Sequence, residues 1–260
     1  MPKYDYIIIG AGAAGLLLAD ALGKDESFAS KSILVLDKDD KSKNDRTWCF
    51  WEHGKGRFDN LIHRTWKHIY VGGQQLQKST SIAPYTYKML RGIDFYNHYV
   101  PKVKAYPNIT WVQEEAKHIE ELENKVLVTT SAQKYSGQTV FSSLYDPSTP
   151  LKQSKYPVLQ QHFVGWQIKT EQLVFKSEEA TFMDFSVPQK GNTRFMYVLP
   201  FSANEALVEY TLFSEHLLEK SEYEDAIKTY IATDFGDAKY TIEETEFGSI
   251  PMTCYPFHQH

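Results

Sequence analysis

Six residues near the start of the chain, Gly10-Ala11-Gly12-Ala13-Ala14-Gly15, have the types and spacing that let a backbone hold a pyrophosphate. In such a string the first glycine makes a tight turn and the second admits the phosphates against the main chain. The third lets a helix pack closely on a strand, and the helix N-terminus attracts the negative charge. Asp37 stands about twenty residues further on, at the end of a second apolar run, where a carboxylate bonds a ribose hydroxyl. Strand, turn, helix, strand and acid fall in register, so the segment is a dinucleotide site. FAD and NAD share the ADP half that it holds, and the motif alone leaves that choice open.

A second set of residues suits acid chemistry. Glu209 lies in the alternating segment Ala206 to Phe213 and shares a face with Leu207, Thr211 and Phe213. An apolar face raises a carboxyl pKa and keeps the group neutral, although a glutamate in a strand more often faces solvent. The string Asn44-Asp45-Arg46-Thr47-Trp48-Cys49-Phe50-Trp51-Glu52 combines two acids, a base and three aromatic rings. It reads equally well as a packed surface loop or as a place where rings attract a cation. The histidines, among them His63, His68, His258 and His260, and the two cysteines, Cys49 and Cys254, lack ligand spacing, so no metal is expected.

The elements that must position these groups follow from periodicity. Tyr4 to Ile9 and Ser32 to Leu36 read as buried strands around a helix from Ala13 to Leu22, with Gly23 as its stop. A helix is expected over Tyr85 to Tyr99 after Pro84, with Tyr85, Met89, Ile93 and Tyr96 on one stripe. Strands follow at Ile109 to Val112, Lys125 to Thr130 and Gln138 to Ser142, and then a Pro, Ser and Thr loop, Asp146 to Gln153. Beyond it the alternation predicts antiparallel strands at Phe163 to Lys169, Thr181 to Val187, Arg194 to Leu199 and Ala206 to Phe213. A helix over Glu219 to Ile231 turns Tyr223, Ile227, Tyr230 and Ile231 inward. The expected fold is α/β (α+β), a Rossmann-type dinucleotide-binding domain interleaved with an antiparallel-sheet substrate domain. Residues 1–60 and 84–146 form the first, and 61–83 and 147–260 the second.

Hydrophobic residues make up 42% of the chain, enough for a packed core. The net charge of −5 argues against a nucleic-acid partner, which needs a basic surface. Unpaired cysteines suit a reducing compartment, and no uniformly apolar stretch reaches spanning length. Seventeen tyrosines and fifteen phenylalanines would fill a β core or line a tunnel for a greasy or cationic guest.

The wording DYIIIGAGAAG resembles flavoproteins of the glutathione-reductase and hydroxylase kind, which points to FAD. The segment from Asn44 to Glu52 is very similar to the Asp-x-Thr-Trp stretch of bacterial lycopene cyclases. Further agreement comes from Gln161-His-Phe-Val-Gly-Trp166, Phe182-Met-Asp-Phe185, Arg194-Phe-Met-Tyr-Val-Leu-Pro200 and Leu207-Val-Glu-Tyr-Thr211. Glu244 with Phe247-Gly-Ser-Ile-Pro-Met252 resembles that family's acid and Gly-x-x-Pro element. Together these resemble the FAD-dependent bacterial lycopene beta-cyclase family over nearly the whole chain, shortened at the C-terminus. Val140-Phe-Ser-Ser143 lacks the Asp-Ala-Arg of many members, and Tyr210 stands where many carry Asp.

The resemblance implies an isomerase that adds a proton to a linear carotenoid end, closes a ring and releases a proton, with FAD active in its reduced form and NAD(P)H as reductant. It makes Glu209 the acid, and Gly10, Ala11, Gly12, Ala13, Ala14, Gly15 and Asp37 the cofactor residues. Asp45, Trp48, Phe50, Trp51 and Glu52 become substrate or flavin contacts, with Asp45, Glu52 and Asp184 as possible partners of Glu209. A linear carotenoid such as lycopene is the expected substrate, met at a membrane surface by a cytoplasmic, peripheral protein. Alternatives are a FAD-dependent monooxygenase of the hydroxylase type and an inactive truncated flavoprotein.

Overall fold

A computed structural model describes residues 1–144, 146 and 148–259. Tyr145 and Pro147, in and beside the loop expected at the domain boundary, and His260 lie outside the described residues. In chain order the first elements are β1 (Lys3–Ile9), α1 (Ala13–Lys24), β2 (Ile33–Asp37), β3 (Thr47–His53), β4 (Arg64–Trp66), β5 (His68–Gly73) and β6 (Leu76–Ser81). Next come β7 (Tyr85–Arg91), α2 (Gly92–Lys104), β8 (Ile109–Gln113), β9 (Ala116–Leu122), β10 (Lys125–Thr130), β11 (Lys134–Ser142) and α3 (Ser148–Leu151). The chain continues through β12 (Val158–Thr170), β13 (Glu179–Asp184), β14 (Thr193–Pro200), β15 (Glu205–Ser214), α4 (Lys220–Phe235) and β16 (Tyr240–Thr253).

Two compact units result. The first comprises Met1–Cys49, Arg57–His63 and Met89–Tyr145, and the second Phe50–Gly56, Arg64–Lys88 and Asp146–His260. Residues 50–56, 84–88 and 146, which the sequence reading placed in the first domain, group with the second, and residues 61–63, placed in the second, group with the first. The first unit is Rossmann-type, with a sheet in the order β8-β2-β1-β11-β10-β9. The first four strands are parallel and the last pairings antiparallel. Ile7, Leu34 and Leu36 are buried in its core, as the unbroken apolar runs of β1 and β2 require.

The second unit holds a seven-stranded sheet, β16-β12-β15-β14-β13-β5-β6, antiparallel except where β13 meets β5. A three-stranded sheet has the order β3-β7-β4. One face of the large sheet is covered by α4. Val164, Trp166, Met196, Val198, Val208, Tyr210 and Leu212 pack there with Tyr223, Ile227, Tyr230 and Ile231, the four residues expected to face inward. Buried His162 fastens the helix, because its Nδ1 accepts from Tyr223 Oη at 2.5 Å and its Nε2–H donates to Ser214 Oγ at 2.7 Å. Ser214 Oγ in turn donates to the His216 carbonyl, and Tyr223 Oη accepts from Leu218 N–H. This chain of bonds fixes one neutral tautomer, and burial holds the His162 pKa below its ordinary value.

Two expectations are corrected. Residues 85–91 are a strand, and the helix begins only at Gly92. The stripe Tyr85, Met89, Ile93, Tyr96 fits a helical period by coincidence, and pairing in the three-stranded sheet overrides it. Gly92 marks the change by donating its N–H to the Arg46 carbonyl at 2.7 Å. Gly23 does not stop α1, which runs on to Lys24. A side chain at Gly23 would strike the ring of Tyr106, so the glycine serves close packing instead.

Candidate functional site

The dinucleotide loop is built as its spacing requires. Gly10 has φ +95°, a conformation that L side chains rarely adopt, and a Cβ there would strike Ser143 Oγ. A Cβ on Gly15 would collide with the Gly10 carbonyl oxygen, so α1 can approach β1 only with glycine at this position. Gly12 caps α1 without a side-chain bond, and a Cβ built on it meets nothing within 4 Å. That open place before a helix N-terminus is where the second glycine of such a loop admits phosphate. Asp37 is buried at the end of β2. Its Oδ2 accepts from Ala11 N–H at 2.5 Å and its Oδ1 from Asp39 N–H at 2.8 Å. Lys41 Nζ stands 3.1 Å from Oδ2. Two carboxylate oxygens offer about four acceptor sites, so Asp37 retains capacity for a ribose hydroxyl. These residues fit a dinucleotide cofactor.

In the second unit Glu209 is centred on the sheet face away from α4. Directly opposite it stand Tyr197 on β14 and Gly165 on β12. The adjacent row is Phe195, Thr211, Phe163 and Gly248, and the row on the other side includes Leu199 and Leu207. Rings continue outward from Tyr197, which lies 5.1 Å from Phe195 and 6.0 Å from Phe182 between centroids. Phe182 meets Trp51 at 5.2 Å and Tyr87 at 5.5 Å. Glu209 thus ends an aromatic floor, with 9% of its surface exposed. Burial first, and then the negative charge of Glu246, push its pKa up to about 8, against a hydrogen bond from Thr211 Oγ1 at 2.5 Å. A raised pKa favours the protonated carboxyl, the form able to donate a proton.

The other expected acids are engaged elsewhere. Glu52 pairs with buried Lys88 at 2.8 Å. Asp45 accepts from Tyr96 Oη at 2.9 Å within the first unit, where Trp48 packs edge-on against Phe95 and Tyr96. Asp184 accepts from Tyr230 Oη at 2.9 Å on the α4 side of the sheet, opposite to Glu209, which excludes it as a partner. Trp51 joins the aromatic floor, and half-buried Phe50 belongs to the same unit. The acid that faces Glu209 is Glu246, which sequence reasoning missed, together with Gly165 between them. Among the described residues no group of three His, Cys, Asp or Glu side chains could hold a metal ion, and no helix is long and apolar enough to cross a membrane.

A profile described as lycopene cyclase protein matches residues 5–259. The chain belongs to the lycopene cyclase family. Three solved structures are similar to this family member in fold. A geranylgeranyl bacteriochlorophyll reductase-like protein from Thermoplasma acidophilum shares 13% identity with TM-score 0.67, over 96% of this chain and 66% of the other. The p-nitrophenol 4-monooxygenase of Pseudomonas putida DLL-E4 gives 13% and 0.64, over 98% and 69%. The flavin-dependent monooxygenase PieE, solved with FAD and substrate, gives 12% and 0.69, over 98% and 51%. The chain therefore spans about two thirds or less of the length of two of them, and at these identities the likeness shows the fold. No curated protein matches the chain in sequence.

Proposed function

We propose that the protein converts the linear ends of lycopene, or of another linear carotenoid, to β-ionone rings as an FAD-dependent intramolecular lyase of carotenoid biosynthesis. The observation that carries this reading is Glu209, a buried carboxyl whose pKa is raised by burial, beside a floor of aromatic rings. Protonation breaks the Glu209 O–H bond and leaves its electron pair on the carboxylate, while a C–H bond forms at the terminal double bond. The positive charge falls on the more substituted carbon and the neighbouring double bond closes the ring. A ring C–H bond then breaks, its electron pair forming the ring double bond while its proton passes to a base. One proton returns to Glu209 for the next turnover. No electrons are exchanged overall. Tyr197, Phe195 and Phe163 share the sheet face of Glu209, where their rings would attract the cation and the apolar floor would exclude water that traps it.

Gly10, Ala11, Gly12, Ala13, Ala14, Gly15 and Asp37 would hold FAD, which when reduced supplies negative charge to offset the cation, NAD(P)H serving as its reductant. On the Glu209 face the far end of β12 and β16 exposes Leu159, Ile250 and Met252. This apolar strip suits a protein peripheral to a membrane that takes its hydrocarbon substrate from lipid.

Flavin-loaded protein, reduced beforehand and kept without oxygen, should form β-rings over many turnovers with no loss of NAD(P)H. Loss of one NAD(P)H per product, with oxygen uptake when air is admitted, would instead establish the hydroxylase reading. In the same assay lycopene presented in liposomes should react faster than an equal amount dispersed without lipid, and equal rates would remove the membrane from the proposal.

A further inference from the structure

Glu209, Gly165 and Glu246 stand side by side on β15, β12 and β16, on one face of the sheet. Adjacent strands lie about 4.8 Å apart, so the two glutamate backbones are separated by roughly 10 Å with one residue between them. Any side chain at position 165 would stand between the carboxyl groups. Glycine leaves that place open and Glu246 takes it. Its Cγ lies 2.9 Å and its Oε1 3.1 Å from the point where a Cβ on Gly165 would be. From there the Glu246 carboxyl reaches toward Glu209, and its negative charge raises the Glu209 pKa. Two carboxyl groups bond each other only when one of them carries a proton.

We propose that Glu209 and Glu246 form a dyad sharing one proton across Gly165, with Glu246 the positioning residue that retains this proton on Glu209 and orients it. The proposal rests on the cyclase reading for its role in turnover, but the dyad itself does not. The groups that face Glu209 are Tyr197 from β14, Gly165 from β12 and Glu246 from β16, with Glu244 two residues along that strand. Leu207 and Thr211 flank it on its own strand, and Glu205 and Lys169 bond each other at 2.9 Å at the strand end. The nearest charge is therefore a like charge, and two carboxylates so placed cannot both ionise readily.

The test compares wild type with Glu246→Gln, Gly165→Ala and the control Glu244→Gln, using the flavin-loaded protein. Infrared titration follows the protonated carboxyl band that Glu209→Gln removes, and the pH dependence of lycopene cyclisation is measured alongside. In Glu246→Gln the band should vanish about one pH unit lower, and the alkaline limb of activity should move down with it. The rate should then fall roughly fivefold at pH 8 and stay within about twofold at pH 6. Gly165→Ala, whose methyl displaces Glu246, should shift the band in the same direction, and Glu244→Gln should not. A folded Glu246→Gln with an unmoved band overturns the dyad. A shifted band in protein that forms no rings, wild type included, upholds the dyad and overturns the cyclase reading.

Discussion

Replacing Glu209 with Gln should retain flavin and substrate while slowing ring formation by about 10²- to 10⁴-fold, the range that a positioned general acid contributes. The amide fills the same volume and still accepts from Thr211 Oγ1, so the aromatic floor is left in place. Glu209→Asp retains the acid but withdraws it by about an ångström, for which a loss approaching 10²-fold is expected. Glu205→Gln is the matched control, since Glu205 lies at the strand entrance and bonds half-exposed Lys169. Stability gives a second readout. The Glu209 pKa is raised in the folded protein, so the fold binds this proton more tightly than the unfolded chain does. Wild type should then lose stability as pH rises from about 4.5 through about 8. Glu209→Gln carries no such proton, and its stability curve should be flatter over that window. Normal turnover in Glu209→Gln would remove the acid from this site altogether.

Gly12→Val should weaken flavin binding without unfolding the protein. A Cβ at Gly12 meets nothing within 4 Å, so the added methyl groups reach only the space before α1. Overpacking a fitted contact costs about 1–3 kcal/mol, which corresponds to a roughly 5- to 150-fold loss of flavin affinity. Gly15→Val is the contrasting variant, since its side chain would strike the Gly10 carbonyl, so it should lose thermal stability as well. Flavin absorbance per protein and the melting temperature separate the two. Wild-type flavin content in Gly12→Val would show that the cofactor does not lie on this loop.

What was legible in the sequence follows from how local each signal is. The glycine loop and Asp37 could be read because turn, strand and helix lie within forty residues and each glycine has a distinct steric role. The inward faces of β15 and α4 could be read because their periods, 2.0 and 3.6, run unbroken through Glu209 and through Tyr223 to Ile231. Residues 85–91 misled because strand pairing with distant partners decides them. Glu246 was hidden for a related reason. Glu243, Glu244 and Glu246 are equivalent in sequence, and only the register of β16 on β12, with its irregularity at Gln167 and Ile168, selects which one reaches Glu209. Gly165 carried a signal that went unread, a glycine inside a strand pattern, which marks a close approach.

The interleaving of the two units governs how this protein can be inherited and made. The chain crosses between them five times, at residues 49–50, 56–57, 63–64, 88–89 and 145–146. Neither unit is encoded by a continuous stretch, so recombination at a single pair of breakpoints cannot carry one of them into another gene. Synthesis is constrained in the same way. β1 is made first, yet its neighbour β11 is completed only at Ser142, by which time the early segments of the second unit have already left the ribosome. Pairings this distant in sequence close slowly, and each unit has an early strand whose partner is made much later in the chain.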